Sequence, residues 1–548
     1  MGIYEVHKTG LLIDARDYYK AFYHTAIQAK HYIFLAGWQF DSEVKLLRGE
    51  DASGVDEDIR LLPFLNNLCK RNPELEVYIL AWDFSVLFAL DREWFQEWIF
   101  NWTSNKCIHF RFDDRHAVGA SHHQKFVVID GKIAFIGGLD ICSNRWDDRR
   151  HLPENPERIN PDDKPYEPYH DVQSCNVGSV ALAMAEFFKL RWKNSGGGEL
   201  HLPDLSGEDD FEIQSGLPID ASRVAISRTQ GKTLIPLQKS ILEIKNLYLD
   251  AINAAENLIY IENQYFTSQA VYGALMQRMN SKDKPKLQIV IVLPRKPHAL
   301  IEEISMGAAQ TKMLFSLQEM ASRNGHSVGI YYTVTSDSNI ATYIHAKLMI
   351  VDDRFMTVGS ANTTNRSMGL DTELNVSWEE FQSQESGPIR SIREARINLL
   401  LEHTGLDDQE KLGDIQGLVD FLNDTAEKGV FRLRHHTMET IFGNAEQLKK
   451  LGLEKLSIDP EKPIIEENVF ELLSKNSTGL FSKGITWLNK LLMSKSVKNN
   501  SKAWDYKVPE TGKHRHRTFF VRFKYIGYGL LILFIAIAII LLFLFVKK

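Results

Sequence analysis

HHQKFVVIDGKIAFIGGLD, from His122 to Asp140, and HAKLMIVDDRFMTVGSAN, from His345 to Asn362, state one pattern twice. Each contains His-x-Lys-x4-Asp: His123, Lys125 and Asp130 in the first copy, His345, Lys347 and Asp352 in the second. Side chains alternate between the faces of a strand, so a histidine and a lysine two apart project the same way. The apolar run FVVI ends at Asp130-Gly131, a strong hairpin signal, and the reversal returns IAFIGG beside the first strand. Asp352-Asp353 occupies the corresponding turn. Small residues close both return strands, Gly137 and Gly138 in one and Gly359 and Ser360 in the other, where backbone can approach a ligand closely.

The repetition extends outward from the motifs. AKHYIFLAGWQF (Ala29 to Phe40) resembles AENLIYIENQYF (Ala255 to Phe266), each a helix end running into a buried strand. Further strands follow in the same order: LEVYILAWD and LQIVIVLP, then HFRFD and GIYYTV. An offset of roughly 220 residues is the signature of a duplicated chain. Strands alternating with helices predict two α/β sandwich domains. We place the first at residues 1–215 and the second at 216–405, with a polar, acidic connection from Gly207 to Asp220.

Two His-Lys pairs suit phosphodiester chemistry. The lysines can neutralise charge that builds up on phosphoryl oxygens without a metal. One neutral imidazole can attack phosphorus while the other protonates the departing alkoxide, roles that a near-neutral pKa permits. A lone copy of so short a motif is a weak signal, and its residues would usually be a solvated histidine, a surface lysine and a turn aspartate. Two copies at matching places in a repeat are a strong one.

The motifs resemble those of the phospholipase D superfamily, and neighbouring stretches resemble its phospholipase D branch. Those stretches are LAWDFSVLFALDREW (Leu80 to Trp94), GGLDICSNRWD (Gly137 to Asp147), YHDVQ (Tyr169 to Gln173), IYIENQYF (Ile259 to Phe266) and GSANTTNRSMGLDTEL (Gly359 to Leu374). The similarity spans most of residues 5–405. It implies a duplicated fold with one pseudo-twofold active site, His123 as the nucleophile forming a phosphohistidine, and His345 as the general acid. Lys125 and Lys347 would hold the phosphoryl oxygens, assisted by Asn362 and Ser360. Asp171 and Glu373 stand where the family places carboxylates that orient the histidines. Asp130 and Asp352 belong to the motif, although a turn position suits bracing better than proton transfer. No lipid-binding module precedes the first expected strand near residue 31, unlike the large eukaryotic-type enzymes.

Composition bounds the rest. The chain has 548 residues, 44% hydrophobic and 25% charged, as ordinary globular proteins do. Its formal charge of -7 argues against a general nucleic-acid binder. Cys69, Cys107, Cys142 and Cys175 form no zinc-type spacing and read as reduced, mostly buried thiols. We expect no cofactor and no metal in the reaction. The start is not a signal peptide, and Val6 stands where a myristoylation signal would want Ser or Thr.

Residues 406–495 read as a helical extension, including GLVDFLND and ENVFELLSK. It ends in GLFSKGITWLNKLLMSK, an amphipathic helix either lying on a membrane surface or docked on the domain. A basic tether over 496–525 leads to IGYGLLILFIAIAIILLFLFV (526–546), which has the length and apolarity of a transmembrane helix. Lys513, Arg515, Arg517, Arg522 and Lys524 on its N-terminal flank predict a single-pass C-terminal anchor with the catalytic region in the cytoplasm.

The expected partners are a membrane phospholipid and a water or alcohol acceptor, with no nucleic acid. The leading expectation is a phospholipase D that releases phosphatidic acid and a head group. Its alternatives are a phosphatidyltransferase of the cardiolipin or phosphatidylserine synthase type and an inactive membrane scaffold. The insertion from Asp147 to Pro168 reads either as a lid or rim loop or as an inert surface loop.

Overall fold

In the computed structural model both hairpins form as their turns require. Lys125–Ile129 pairs antiparallel with Ile133–Gly137, and Lys347–Val351 with Phe355–Gly359. The structure describes residues 1–83, 96–117, 119–201, 203, 216–234, 237–296, 300–336, 338–380, 391–436 and 459–462. Each hairpin sits in the middle of a sheet, and the two sheets have the same strand order. In the first, Ile108–Asp113, Glu76–Trp82 and Tyr32–Gly37 run parallel, followed by antiparallel Lys125–Ile129, Ile133–Gly137, Val172–Gly178 and Gly2–Ile13. In the second, Ser327–Thr333, Gln288–Val292 and Leu258–Asn263 run parallel, followed by antiparallel Lys347–Val351, Phe355–Gly359, Glu373–Glu379 and Arg223–Gln230.

Both faces of each sheet are covered, which is why the central strands are apolar without alternation. Phe34, Phe126 and Val128 meet helix Ser179–Asn194, where Phe188 stacks on Phe34 at 4.3 Å between ring centroids. Ile33, Leu35 and Val127 face the other way, onto Phe22 of helix Asp14–Ala26 and Phe64 of helix Leu61–Arg71. In the second sheet Tyr260, Leu348 and Ile350 join the same core as Phe34, through helices Ser391–Thr404 and Leu418–Lys428. Ile259, Ile261 and Met349 pack on helices Glu243–Ala254 and Gln269–Asn280. The two halves therefore share a core, within one compact unit spanning Met1–Ile465.

Strand Gly2–Ile13 joins the sheets. Gly2–Glu5 pair with Arg223–Ile226 of the second, and Val6–Ile13 with Val172–Gly178 of the first. The expectation of a first strand near residue 31 therefore misses one. Its middle, His7-Lys8-Thr9, carries no apolar alternation because it crosses from one sheet to the other, with a register shift between Val6 and Lys8. Of the expected connection from Gly207 to Asp220, only 216–220 are described, and Leu217 and Pro218 pair with Leu11 and Gly10.

Three further expectations change. Among the described residues no helix is long and apolar enough to cross a membrane. The membrane-anchored form, the C-terminal transmembrane helix and the single-pass cytoplasmic placement are withdrawn accordingly. Residues 526–546, on which they were based, lie outside the described residues, as do the amphipathic helix and the tether. Cys69 and Cys107 are joined in a disulfide, whereas Cys142 and Cys175 are free and buried. Thirty-eight residues separate the bonded pair, and only the packing of helix Leu61–Arg71 beside Ile108 brings them together. Finally, the Asp147–Pro168 insertion is no inert surface loop. Arg158 is buried against Asp147, and Arg149 bonds Glu402 (2.6 Å) and the Asn398 carbonyl (3.0 Å) of the second half.

Candidate active site

Both motif histidines sit two residues before their strand, where the sheet ends and side chains can face a partner outside it. The backbone N–H of His123 donates to the Thr372 carbonyl (3.0 Å), and that of His345 to the His170 carbonyl (2.8 Å). Each histidine is thus anchored on a segment of the other half, and the next residue of that segment supplies its carboxylate. His123 Nδ1 lies 3.0 Å from Glu373 Oε2, and His345 Nδ1 lies 2.5 Å from Asp171 Oδ2. His170 and Ile344 form part of a short parallel pairing, and His122 and Thr372 a matching parallel bridge. The crossing is reciprocal.

His123 Nδ1 also lies 3.0 Å from the Ser360 carbonyl, an acceptor only. Nδ1 therefore carries a ring proton, so in the neutral tautomer the lone pair belongs to Nε2. Glu373 is held on both oxygens, by Ser360 Oγ (2.6 Å) and Ser367 Oγ (2.6 Å). At the other carboxylate, Gly138 takes the place of Ser360, and a Cβ there would collide with Asp171. Burial pushes the Asp171 carboxyl up to about 7, with Lys347 opposing. Burial, with Lys347, Arg145, Lys125 and His123 nearby, drives the His345 imidazole well below its usual range. In this pair we place the shared proton toward Asp171.

Lys125 Nζ bonds the His123 carbonyl (3.0 Å) and lies 3.4 Å from Asp140, over the Trp38 ring. Lys347 Nζ bonds the His345 carbonyl and Gln264 Oε1 (3.2 Å). Burial and then the cations Lys125 and Arg145 bring Lys347 down to about 7, against the pull of Asp171 and Glu373. The two motifs are therefore neighbours in space, 222 positions apart in the chain.

Asp130 and Asp352 are not in this cluster. Asp130 accepts from the N–H groups of Lys30, His31 and Tyr32 (2.7–2.9 Å), and Asp352 from those of Glu256, Asn257 and Leu258 (2.7–2.8 Å). They brace the start of the neighbouring strand, at the far end of the hairpin from the imidazoles. Both adopt positive φ (50° and 54°), which a short acidic side chain in a turn tolerates. Ser360 spends its hydroxyl on Glu373. Asn362 Oδ1 is buried with no hydrogen-bond partner.

Sequence reasoning missed Trp38, Gln264, Arg145 and Ser367. Trp38 and Gln264 occupy the same place in the repeated segments AKHYIFLAGWQF and AENLIYIENQYF, so the alignment could have paired each with its lysine. Arg145 stacks on Tyr169, whose ring lies 5.3 Å from that of His345, and no local pattern marked it. Among the described residues, two buried groupings have metal-ligand residue types: Asp14, His151, His170 and Glu402, and His170, Glu262 and His403.

A family model described as phospholipase D matches residues 25–291, and one described as cardiolipin synthase, PLD-like domain, matches residues 248–385. Phospholipase D alpha 3 of Arabidopsis thaliana is 25% identical over 513 residues, covering 69% of this chain and 62% of that protein. Phospholipase D1 of Saccharomyces cerevisiae is 26% identical over 451 residues, covering 67% of this chain and 26% of that protein. The chain thus spans less than two thirds of these relatives. The crystal structure of phosphatidylserine synthase from Haemophilus influenzae Rd KW20 aligns with a TM-score of 0.49 and 14% identity, over 78% of this chain and 95% of that one.

Proposed function

We propose that this chain, which carries phospholipase D superfamily domains, transfers the phosphatidyl group of a glycerophospholipid to a hydroxyl acceptor through a phosphohistidine. The supporting observation is the reciprocal crossing: each imidazole leans on a carboxylate of the other half, so neither half-site is complete alone. His123 Nε2, with Nδ1–H held by Glu373 and the Ser360 carbonyl, attacks phosphorus as the neutral base. The bond from phosphorus to the head-group oxygen breaks. His345, whose remaining proton sits on Nε2 while Asp171 carries the shared one, protonates that oxygen. The acceptor hydroxyl then gives its proton back to His345 and attacks phosphorus, breaking the P–N bond. Lys125 and Lys347 supply positive charge to the phosphoryl oxygens in both steps.

An alcohol is the acceptor we favour, which makes the chain a phosphatidyltransferase. The match of its second half to the cardiolipin synthase type of domain supports this. Hydrolysis, with water as acceptor, is the second reading and draws support from the relatives called phospholipases D. Purified chain incubated with labelled glycerophospholipid, with and without glycerol or phosphatidylglycerol, separates the two. Phosphatidyl-alcohol should dominate when the alcohol is present, and phosphatidic acid alone would overturn the transferase reading. A His345→Ala variant given a substrate whose head group leaves without protonation should retain labelled phosphatidyl on His123. Turnover by His123→Asn would remove His123 as nucleophile.

A further inference from the structure

Behind Asp171 the chain buries a set of charged groups that the transfer reaction does not use. Asp14 opens helix Asp14–Ala26, His151 lies in the Asp147–Pro168 insertion, His170 precedes Asp171, and Glu402 belongs to helix Ser391–Thr404. All four are at most 6% exposed. His170 Nδ1 lies 3.0 Å from Asp14 Oδ1 and 2.6 Å from Glu402 Oε1, and His151 Nε2 lies 3.0 Å from Glu402 Oε1 and 3.5 Å from Asp14 Oδ2. The corners of a tetrahedral site with bonds of about 2.0–2.1 Å are about 3.3 Å apart; the present separations of 2.6–3.5 Å bracket that value, and an entering ion would push His170 and Glu402 apart.

We propose that Asp14, His151, His170 and Glu402 bind one divalent cation of zinc's class and that the bound ion ties the two halves together behind Asp171. Two further observations support the assignment. First, each histidine is held through its other nitrogen by a carboxylate, His170 Nε2 by Glu262 (2.9 Å) and His151 Nδ1 by Asp147 (3.0 Å). That is the outer-shell arrangement that fixes the tautomer and the ring orientation of metal-binding histidines. Second, His170 Nδ1 and Asp14 Oδ2 are buried yet make no hydrogen bond. An ion pair alone would aim N–H at an oxygen, as His151 Nε2 is aimed at Glu402 (3.0 Å), whereas His170 Nδ1 makes no such bond although two carboxylate oxygens lie within 3.0 Å.

Two imidazole nitrogens with two carboxylates, closed and buried, suit zinc as a structural ion. Calcium and magnesium call for more oxygen ligands than this set offers. Asp14 also hydrogen-bonds Asp171 through both backbones, Asp14 N–H to the Asp171 carbonyl (2.8 Å) and Asp171 N–H to Asp14 Oδ1 (3.3 Å). The ion would thus stiffen the segment that presents Asp171 without touching substrate.

Elemental analysis of the full chain, purified without chelator from zinc-supplemented medium, should give about one zinc per chain. Chelator-stripped chain should regain Tm as zinc is added, in proportion to the logarithm of free zinc. Cobalt added to stripped chain should produce the visible absorption of a four-coordinate N/O site. Glu402→Gln and His151→Gln should each weaken zinc binding by about tenfold or more. Less than about a tenth of an equivalent of any divalent ion, with a Tm that ignores added zinc, would overturn the proposal and leave an ion-pair network. Zinc retained at full affinity by both variants would overturn it as well. None of these readouts depends on lipid turnover, so they stand apart from the transferase reading.

Discussion

The two half-sites repeat the same parts in different surroundings. Glu373 is clamped by two serine hydroxyls as it holds His123, whereas Asp171 faces a glycine at the matching place and sits buried at about 7 beside His345. Lys125 has an aspartate and a tryptophan face for neighbours, whereas Lys347 has a glutamine, and burial pushes it down to about 7. The duplication thus supplies two imidazoles and two ammonium groups, and the non-repeated neighbours set them apart. A transfer reaction needs one imidazole that begins as a base and one that begins as an acid. Divergence of the neighbours achieves this without altering the motif itself.

The largest test of that asymmetry is removal of the attacking base. His123→Asn should lower kcat by about 10⁴-fold or more, because groups acting as a unit fail together. The same change at His345 should still allow one labelled phosphatidyl group to load when the leaving group is a good one, measured as burst amplitude. Equal loss of the burst in both variants would break the distinction.

Next comes the pair of carboxylates. Glu373→Gln should cost about 10²–10³-fold in kcat by disturbing the tautomer of His123, with the ring still in place. Asp171→Asn should instead change the acid limb and the leaving-group dependence, read by comparing substrates whose head groups differ in basicity.

A third test is the pH profile. Lys347 is charged below about 7 and loses its proton above it, so kcat/KM of the free enzyme should fall as pH rises through about 7. Asp171 titrates in the same range, so the limb belongs to a coupled set. Lys347→Arg keeps its charge at every accessible pH and should push the falling limb upward. An unmoved limb would remove Lys347 from it.

The smallest effect concerns the turn aspartates that both halves share. Asp130→Ala strands three backbone N–H groups and should cost about 2–3 kcal/mol of stability by denaturant unfolding. Asp352→Ala also frees three, two of them open to water, and should cost less, while kcat of the folded fraction changes little in either variant.

Much of this was legible in the chain. FVVI and LMIV flanked by Asp turns give both hairpins, because period-two alternation and turn chemistry act over a few residues. Asp130 and Asp352 read as braces for the same reason. Strand Gly2–Ile13 was not legible, since its crossing between sheets interrupts the pattern that marks a strand. Nor was the disulfide, which depends on a helix meeting a strand 38 residues away. The expectation of no metal in the reaction came from the two lysines, and cysteine spacing spoke only against a cysteine-based zinc cluster; the grouping of Asp14, His151, His170 and Glu402 comes from four separate elements and has no local spacing to mark it. The insertion at 147–168 looked like a loop because its function is long-range, through Arg149 and Glu402.

The sequence by itself determined that the chain is a duplication and that each copy presents His and Lys on one strand face, because side-chain alternation is a local property of the backbone. Only the tertiary structure decided which carboxylate meets which histidine, across 250 residues for Glu373 and 174 for Asp171. It also decided which lysine is buried deeply enough to lose its charge near neutrality. Those outcomes depend on desolvation and on charges brought together by packing, and neither is written in the spacing of residues along the chain.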